Sequence, residues 1–151
     1  MSERVVYLDS SAIVKRYVLE PGSRDVRELY LRAYSGEVGL AFSVWNVGEV
    51  LGVFDKAVRL GRLGLEEYRL ARNRFLLETR RMVKLGVALV LPVKFGFLKE
   101  SWRLVERYHV YQADALQLVS ARHSGAEEFV TGDKRLHELA LDYGLNSVCV
   151  G

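Results

Sequence analysis

Val5-Val6-Tyr7-Leu8-Asp9-Ser10-Ser11-Ala12 decides how the rest of the chain is read. Four apolar residues run straight into an aspartate, two serines and the helix-like Ala12-Ile13-Val14-Lys15-Arg16-Tyr17. A continuous apolar run rich in β-branched and aromatic residues is the pattern of a strand buried on both faces. Ser10 or Ser11 suits the N-cap of the following helix, because a hydroxyl can accept a backbone N–H left over at the helix start. Asp9 is then expected at the carboxyl end of a central parallel strand. In open α/β sheets ligands bind at that edge. A lone aspartate there is equally well explained as a helix cap, so its meaning depends on which other acids share the edge.

Strands and helices alternate outward from this stretch. Glu20-Pro21-Gly22-Ser23 is a turn signal, and residues 24–33 then read as a helix with Val26, Leu29 and Tyr30 on one face. A second strand is expected over 38–42, with Ser43 as N-cap of a long helix over 44–60. Its apolar stripe is Val47, Val50, Leu51, Phe54, Ala57 and Val58. Gly61-Arg62-Leu63-Gly64 separates it from a helix over 65–85. A third strand follows over 87–93, with helices over 94–108 and 112–123. The chain ends on a strand over 128–131, a helix over 134–143 and a strand over 146–150. Such alternation implies an α/β fold, a parallel sheet with right-handed crossovers and helices on both faces. No repeat, low-complexity tract or linker interrupts it, so one domain over 1–151 is expected.

With 151 residues the chain can bury a sizeable core. Hydrophobic residues make up 50% and charged ones 27%, a globular balance that excludes a disordered chain. A net charge of +3 permits a polyanionic partner without requiring one, and Arg, which far outnumbers Lys, is suited to phosphate. Cys149 is the only cysteine, so no internal disulfide forms; it is expected to be a small buried hydrophobe in a reducing cytosol. Glu3 and Arg4 precede the first strand, which speaks against a signal peptide. No apolar run approaches the roughly 18 residues that a membrane span needs. A soluble, cytoplasmic protein is expected.

Three further acids stand where they can join Asp9. Glu49 lies in the helix after the second strand, among Val47, Gly48, Val50 and Leu51. Gly48 and Gly52 flank it, and each costs a helix about 1 kcal/mol relative to alanine. That cost implies something packed close to the backbone, either a neighbouring helix or an approaching phosphate backbone. Asp114 lies in the first turn of its helix, where the helix dipole alone would explain it. Asp133 follows the fourth strand in Val130-Thr131-Gly132-Asp133-Lys134, where an N-cap alone would explain it. The turns after the strands of a doubly wound sheet all open on one edge. Carboxylates gathered there repel unless cations hold them together, and hard oxygen ligands without His or Cys suit Mg²⁺ or Mn²⁺.

These residues resemble the PIN-domain nucleases, and most closely the toxin component of prokaryotic VapBC-type toxin–antitoxin pairs. The resemblance rests on Leu8-Asp9-Ser10-Ser11-Ala12, on Ser43 with Glu49, on Ala113-Asp114-Ala115-Leu116 and on Thr131-Gly132-Asp133-Lys134-Arg135-Leu136. The pieces occur in the family's order over nearly the whole chain. The resemblance implies a three-layer α/β/α sandwich with a five-stranded parallel sheet of order 3-2-1-4-5. It implies that Asp9, Glu49, Asp114 and Asp133 form the catalytic metal site, supported by Ser11 and Thr131. It further implies metal-dependent endoribonuclease activity, a homodimer and an antitoxin that plugs the groove.

Two other readings are weighed. A phosphoacceptor receiver domain needs an aspartate at the end of the third strand, where this chain has Leu91-Pro92. A catalytically silent RNA-binding module would not need intact acids. No phosphate loop or dinucleotide glycine fingerprint occurs, and His109, His123 and His137 lack metal-site spacing. Most basic residues between Arg59 and Lys84 read as a solvated helix face, whereas Lys15 and Arg16, close after Asp9, are expected to contact phosphate. Trp45, Phe54, Phe75, Leu76 and Leu77 are many apolar residues for one helix pair, so part of them is expected at an interface.

Overall fold

The apolar run near the start of the chain becomes the middle strand of the sheet. In the computed structural model, which describes residues 4–151, β1 (Val5–Leu8) is buried along its whole length and pairs in parallel on both sides. Glu3, one of the two residues read against a signal peptide, lies outside the described residues. The partners of β1 are β2 (Gly39–Ser43) and β4 (Glu128–Thr131), and β3 (Ala88–Leu91) and β5 (Ser147–Cys149) form the edges. The order is β3-β2-β1-β4-β5. A receiver-type sheet has the order 2-1-3-4-5, with its third strand inside. Here β3 is an edge strand, which overturns the receiver reading.

Alternate residues of a strand point to opposite faces, and the core divides accordingly. Val6 and Leu8 join Leu40, Phe42 and Val130 in one cluster. That cluster is covered by α1 (Ser10–Tyr17), α2 (Ser23–Tyr34), α3 (Val44–Arg59) and α4 (Leu65–Lys84). Val5 and Tyr7 face the other way, with Ala41, Leu91 and Phe129. There they meet α5 (Phe95–Tyr108), α6 (Gln112–His123) and α7 (Lys134–Tyr143). The result is the three-layer α/β/α arrangement.

Local chemistry explains where the elements depart from expectation. The cap of α1 is Asp9 and neither serine: Asp9 N–H still donates to Val130 O at 3.1 Å, so its backbone stays extended while its side chain accepts from Ala12 N–H. Strand β3 stops at Leu91, short of the expected residue 93, because Pro92 has no N–H for the ladder. Ser43 caps α3 as expected, in a capping box with Asn46. Within the apolar stripe, Val50 and Phe54 are fully buried and Val47 and Leu51 pack against them. No neighbouring helix packs closely at Gly48 and Gly52: a Cβ at either would touch nothing within 4 Å. Both stand on an open helix face. Cys149 is half-buried rather than buried, since β5 is an edge strand.

One half-buried carboxylate fastens three helices. Glu78 of α4 accepts from Arg16 Nε at 2.9 Å, Arg16 Nη2 at 3.0 Å, Tyr17 OH at 3.0 Å and Tyr34 OH at 2.8 Å. Burial pushes the Glu78 pKa up, but the bonds from Arg16 and Tyr34 outweigh it and the net shift is downward. The Arg16 guanidinium also lies 4.9 Å from the centroid of the Tyr30 ring. Removing it leaves Glu78 with a charge and no cation. Arg16→Met is therefore expected to lower the unfolding free energy by about 2 kcal/mol, read by urea denaturation. An unchanged midpoint would make the pair a surface ion pair of no consequence.

Candidate active site

Strand ends and helix starts bring the four acids together. Asp9, Glu49, Asp114 and Asp133 all line one cavity of about 400 Å³, with Ser10, Ser11, Gly52, Lys56 and Gln117 among its other walls. Asp9 follows β1 and Asp133 follows β4, the adjacent parallel strand, with Leu8 opposite Val130. Glu49 comes from α3 after β2, and Asp114 from the first turn of α6.

Asp9 is the enclosed member, 4% exposed. Its Oδ1 accepts from Ser11 Oγ at 2.7 Å and Ala12 N at 2.9 Å, and its Oδ2 from Thr131 Oγ1 at 2.7 Å. Each hydroxyl has one proton and gives it to Asp9. Each in turn accepts a backbone N–H: Ser11 Oγ from Gly132 at 2.8 Å and Thr131 Oγ1 from Asp133 at 3.0 Å. Burial pushes the Asp9 carboxyl up to about 6, against the opposing pull of the Thr131, Ser11 and Ala12 donors and with a further push from Asp133. Asp114 is also raised, first by burial and then by Asp133, with Arg135 working the other way. Asp133 Oδ1 caps α7, accepting from Arg135 N at 2.9 Å and Leu136 N at 3.3 Å. Glu49 Oε1 accepts from Ser10 Oγ at 2.7 Å. The cap readings of Asp9 and Asp133 are thus true, and the same residues line the cavity.

The donor set consists of carboxylate and hydroxyl oxygens, the chemistry of a hard divalent cation. Among the described residues no three His, Cys, Asp or Glu side chains stand close enough together to hold an ion directly. Mg²⁺ commonly keeps several waters and takes one or two carboxylates plus substrate phosphate, and the open spacing suits that mode. The push of Asp133 on both Asp9 and Asp114 is one that a cation would relieve.

The PIN domain family model matches residues 6–141. The chain belongs to the PIN-domain family. In structure it is similar to VapC20 of Mycobacterium tuberculosis, described as a sarcin–ricin loop cleaving toxin, at 16% identity and a TM-score of 0.67, covering 95% of this chain and 98% of that one. It is similar to FitAcB from Neisseria gonorrhoeae at 16% identity and a TM-score of 0.65, covering 94% and 95%. VapBC2 from Rickettsia felis, solved bound to a DNA fragment from their promoter, is 14% identical with a TM-score of 0.60, covering 97% and 99%. No curated protein matches the chain in sequence.

Lys15 and Arg16 are not at the acidic cavity of this PIN domain. Lys15 is 9% exposed and donates to Glu20 Oε1 at 3.1 Å and Pro21 O at 2.6 Å; Arg16 is held by Glu78. Both line a separate cavity of about 500 Å³ with Arg27 and Arg74. Their charges are already paired within the fold, so the structure sets neither of them at the acidic cavity to meet a phosphate. Lys56, unremarked in the sequence, is the lysine at the acidic cavity; it lies two turns after Glu49 on the same helix. Tyr7, Asn46 and Gln117 also went unread. Asn46, as the fourth residue of a Ser43-x-x-Asn46 capping pattern, was the one signal available for them.

Asp9 sets a pH dependence. Its folded pKa of about 6 exceeds the ordinary 3.8, so the folded state holds the proton more tightly. The stability contributed is fully present below pH 3.8 and is lost as pH rises through 6. Asp9→Asn keeps a good cap and cannot titrate. From pH 4 to pH 7 the metal-free wild type is expected to lose about 2 kcal/mol relative to Asp9→Asn. Denaturant melts in chelator across this range measure it, and a difference that does not change with pH would refute the assignment.

Proposed function

We propose that this PIN-domain protein is a Mg²⁺- or Mn²⁺-dependent endoribonuclease, the toxin of a VapBC-type toxin–antitoxin pair. The observation that carries the reading is the convergence of Asp9, Glu49, Asp114 and Asp133 on one cavity around a buried, doubly anchored carboxylate. These acids would hold the ion, supported by Ser11 and Thr131. Bound there, the ion would activate a water and neutralise charge on the scissile phosphate. Asp9 offers a fixed carboxylate, both of whose oxygens are held by donors. Asp114, whose side chain makes no hydrogen bond among the described residues, can turn toward a cation. Lys56 stands at the cavity to meet a phosphate. No protein nucleophile is required.

RNA as substrate is supported by the description of VapC20 as a toxin that cleaves the sarcin–ricin loop. The VapBC2 likeness supports an antitoxin partner. Trp45 and Leu77, 45% and 63% exposed, and Leu70, 61% exposed, support a homodimer; Phe54 and Phe75 belong to the core instead. No helix among the described residues is long and apolar enough to cross a membrane. A cytoplasmic location is part of the proposed toxin reading.

The test is cleavage of RNA by the purified chain with Mn²⁺ and with chelator. Wild type is expected to cleave only with Mn²⁺, and Asp114→Asn to lose on the order of 100-fold in rate. Mn²⁺ should raise the melting temperature of wild type and raise that of Asp9→Asn much less. The second reading is a catalytically silent RNA-binding PIN domain, which needs no ion held directly by three side chains. RNA binding without metal-dependent cleavage would establish that one. Light scattering is expected to give a dimer, and a monomer at all accessible concentrations would remove the homodimer.

A further inference from the structure

A chain of hydrogen bonds runs from the core to Glu49, and its direction is set by one backbone amide. Ser43 N–H donates to Asn46 Oδ1 at 2.7 Å. A backbone N–H can only donate, so Oδ1 must face it and Nδ2 must face the other way. Asn46 Nδ2 then donates to Ser10 Oγ and to Gln117 Oε1, each at 2.8 Å, and reaches Glu49 Oε1 itself at a longer 3.4 Å. Ser10 Oγ receives that proton, so its own single proton goes to Glu49 Oε1 at 2.7 Å. Tyr7 OH donates to the same Gln117 Oε1 at 2.8 Å. Tyr7 and Asn46 are 0% exposed and Gln117 3%.

The arrangement leaves a mark of its direction. With Oε1 turned to Asn46 and Tyr7, Gln117 Nε2 is buried with no partner, although Gln117 lines the acidic cavity. An orphaned buried donor is unfavourable. Gln117 therefore serves the needs of Asn46 and Tyr7 as an acceptor. Capping of α3 needs only the Asn46 oxygen; the nitrogen is left to act on the site.

We infer that Asn46 is a positioning residue, which orients the Glu49 carboxylate chiefly through Ser10, with a longer direct bond beside it, and is itself held by Gln117. The inference rests on the nuclease reading for its catalytic consequence, while its effect on cation affinity is measured without RNA.

The experiment uses Ser10→Ala, Asn46→Leu and the double variant of the full chain. Ser10 is the first helical residue, where alanine is well tolerated, so Ser10→Ala should melt near wild type. Calorimetry without RNA should show its Mn²⁺ Kd raised roughly threefold or more. At saturating Mn²⁺ its kcat on an RNA oligonucleotide should fall about tenfold with KM unchanged, as expected of a misplaced group. Asn46→Leu should lower kcat to a similar extent and also lower the melting temperature, because the cap is lost. In the Ser10→Ala background it should lower the melting temperature again but cost kcat less than it does alone, since only its longer direct contact with Glu49 remains. Wild-type Mn²⁺ affinity and kcat in Ser10→Ala would overturn the inference, as would losses in kcat that multiply in the double variant. A wild type that binds Mn²⁺ but cleaves no RNA overturns the nuclease reading alone, and the Mn²⁺ affinity of Ser10→Ala then decides this one. Should Asn46→Leu not fold, Ser10→Ala decides it alone. A wild type that binds no Mn²⁺ overturns both.

Discussion

A buried carboxylate is costly unless its oxygens are met by donors, and the edge of this sheet is built around meeting those of Asp9. Ser11 and Thr131 give it their protons and take backbone N–H groups from Gly132 and Asp133 in exchange. This locks the turn after β4 to the start of α1. It works only because β1 and β4 are neighbours in parallel, with Leu8 opposite Val130. Gly132 is part of the same constraint. A Cβ there would come 2.5 Å from Lys15 Cε, and Lys15 is itself held by Glu20 and Pro21. Helix cap, strand register and site geometry are one set of bonds.

The placement of positive charge follows from the same economy. The net charge of +3 says little about the site, because Arg16 and Lys15 are consumed by Glu78 and Glu20 inside the fold. The cavity presents acids with Lys56 as its lysine. A phosphate backbone is repelled by such an edge, and charges more than about 10 Å away are screened at ordinary ionic strength. On the proposed reading, affinity for a polyanion at this cavity would come from a cation held between the acids and the phosphate. A divalent ion would then answer the electrostatics of the cavity as much as the chemistry proposed for it.

Much of the fold was legible, for reasons that are local. The apolar run Val5-Val6-Tyr7-Leu8 is buried on both faces, and the alternation of elements that it begins is the alternation observed. The strand order was read from the family resemblance of four short motifs, and it holds. The acids could be placed on one edge because each lies at a strand end or on the helix that follows a strand or turn. Pairings between distant residues could not be read. Tyr7 and Gln117 stand 110 positions apart, and Arg16 and Glu78 stand 62 apart. Nothing local in Arg16 distinguishes an arginine held by a buried glutamate from one waiting for phosphate. The glycines beside Glu49 are a related case: their cost to the helix is visible in the sequence, but the open space beside them is not.

Capping alone does not account for aspartate at position 9. Asparagine or serine would cap α1 about as well, since either offers an oxygen to a backbone N–H. Aspartate adds a charge in a place where burial raises its pKa to about 6, so at neutral pH the fold carries a cost that asparagine would avoid. Three more acids line the same cavity, and one of them, Asp133, adds to that push. A residue choice that a better-tolerated one could replace, made where the neighbours worsen it, is the pattern of a group kept for its charge rather than for its fit. The hydroxyls of Ser11 and Thr131 are the compensation: they hold the ionised form in one orientation without neutralising it. The charge is thereby left available to something that enters the cavity, and an entering cation is the one kind of ligand that turns the repulsion among these acids into binding energy.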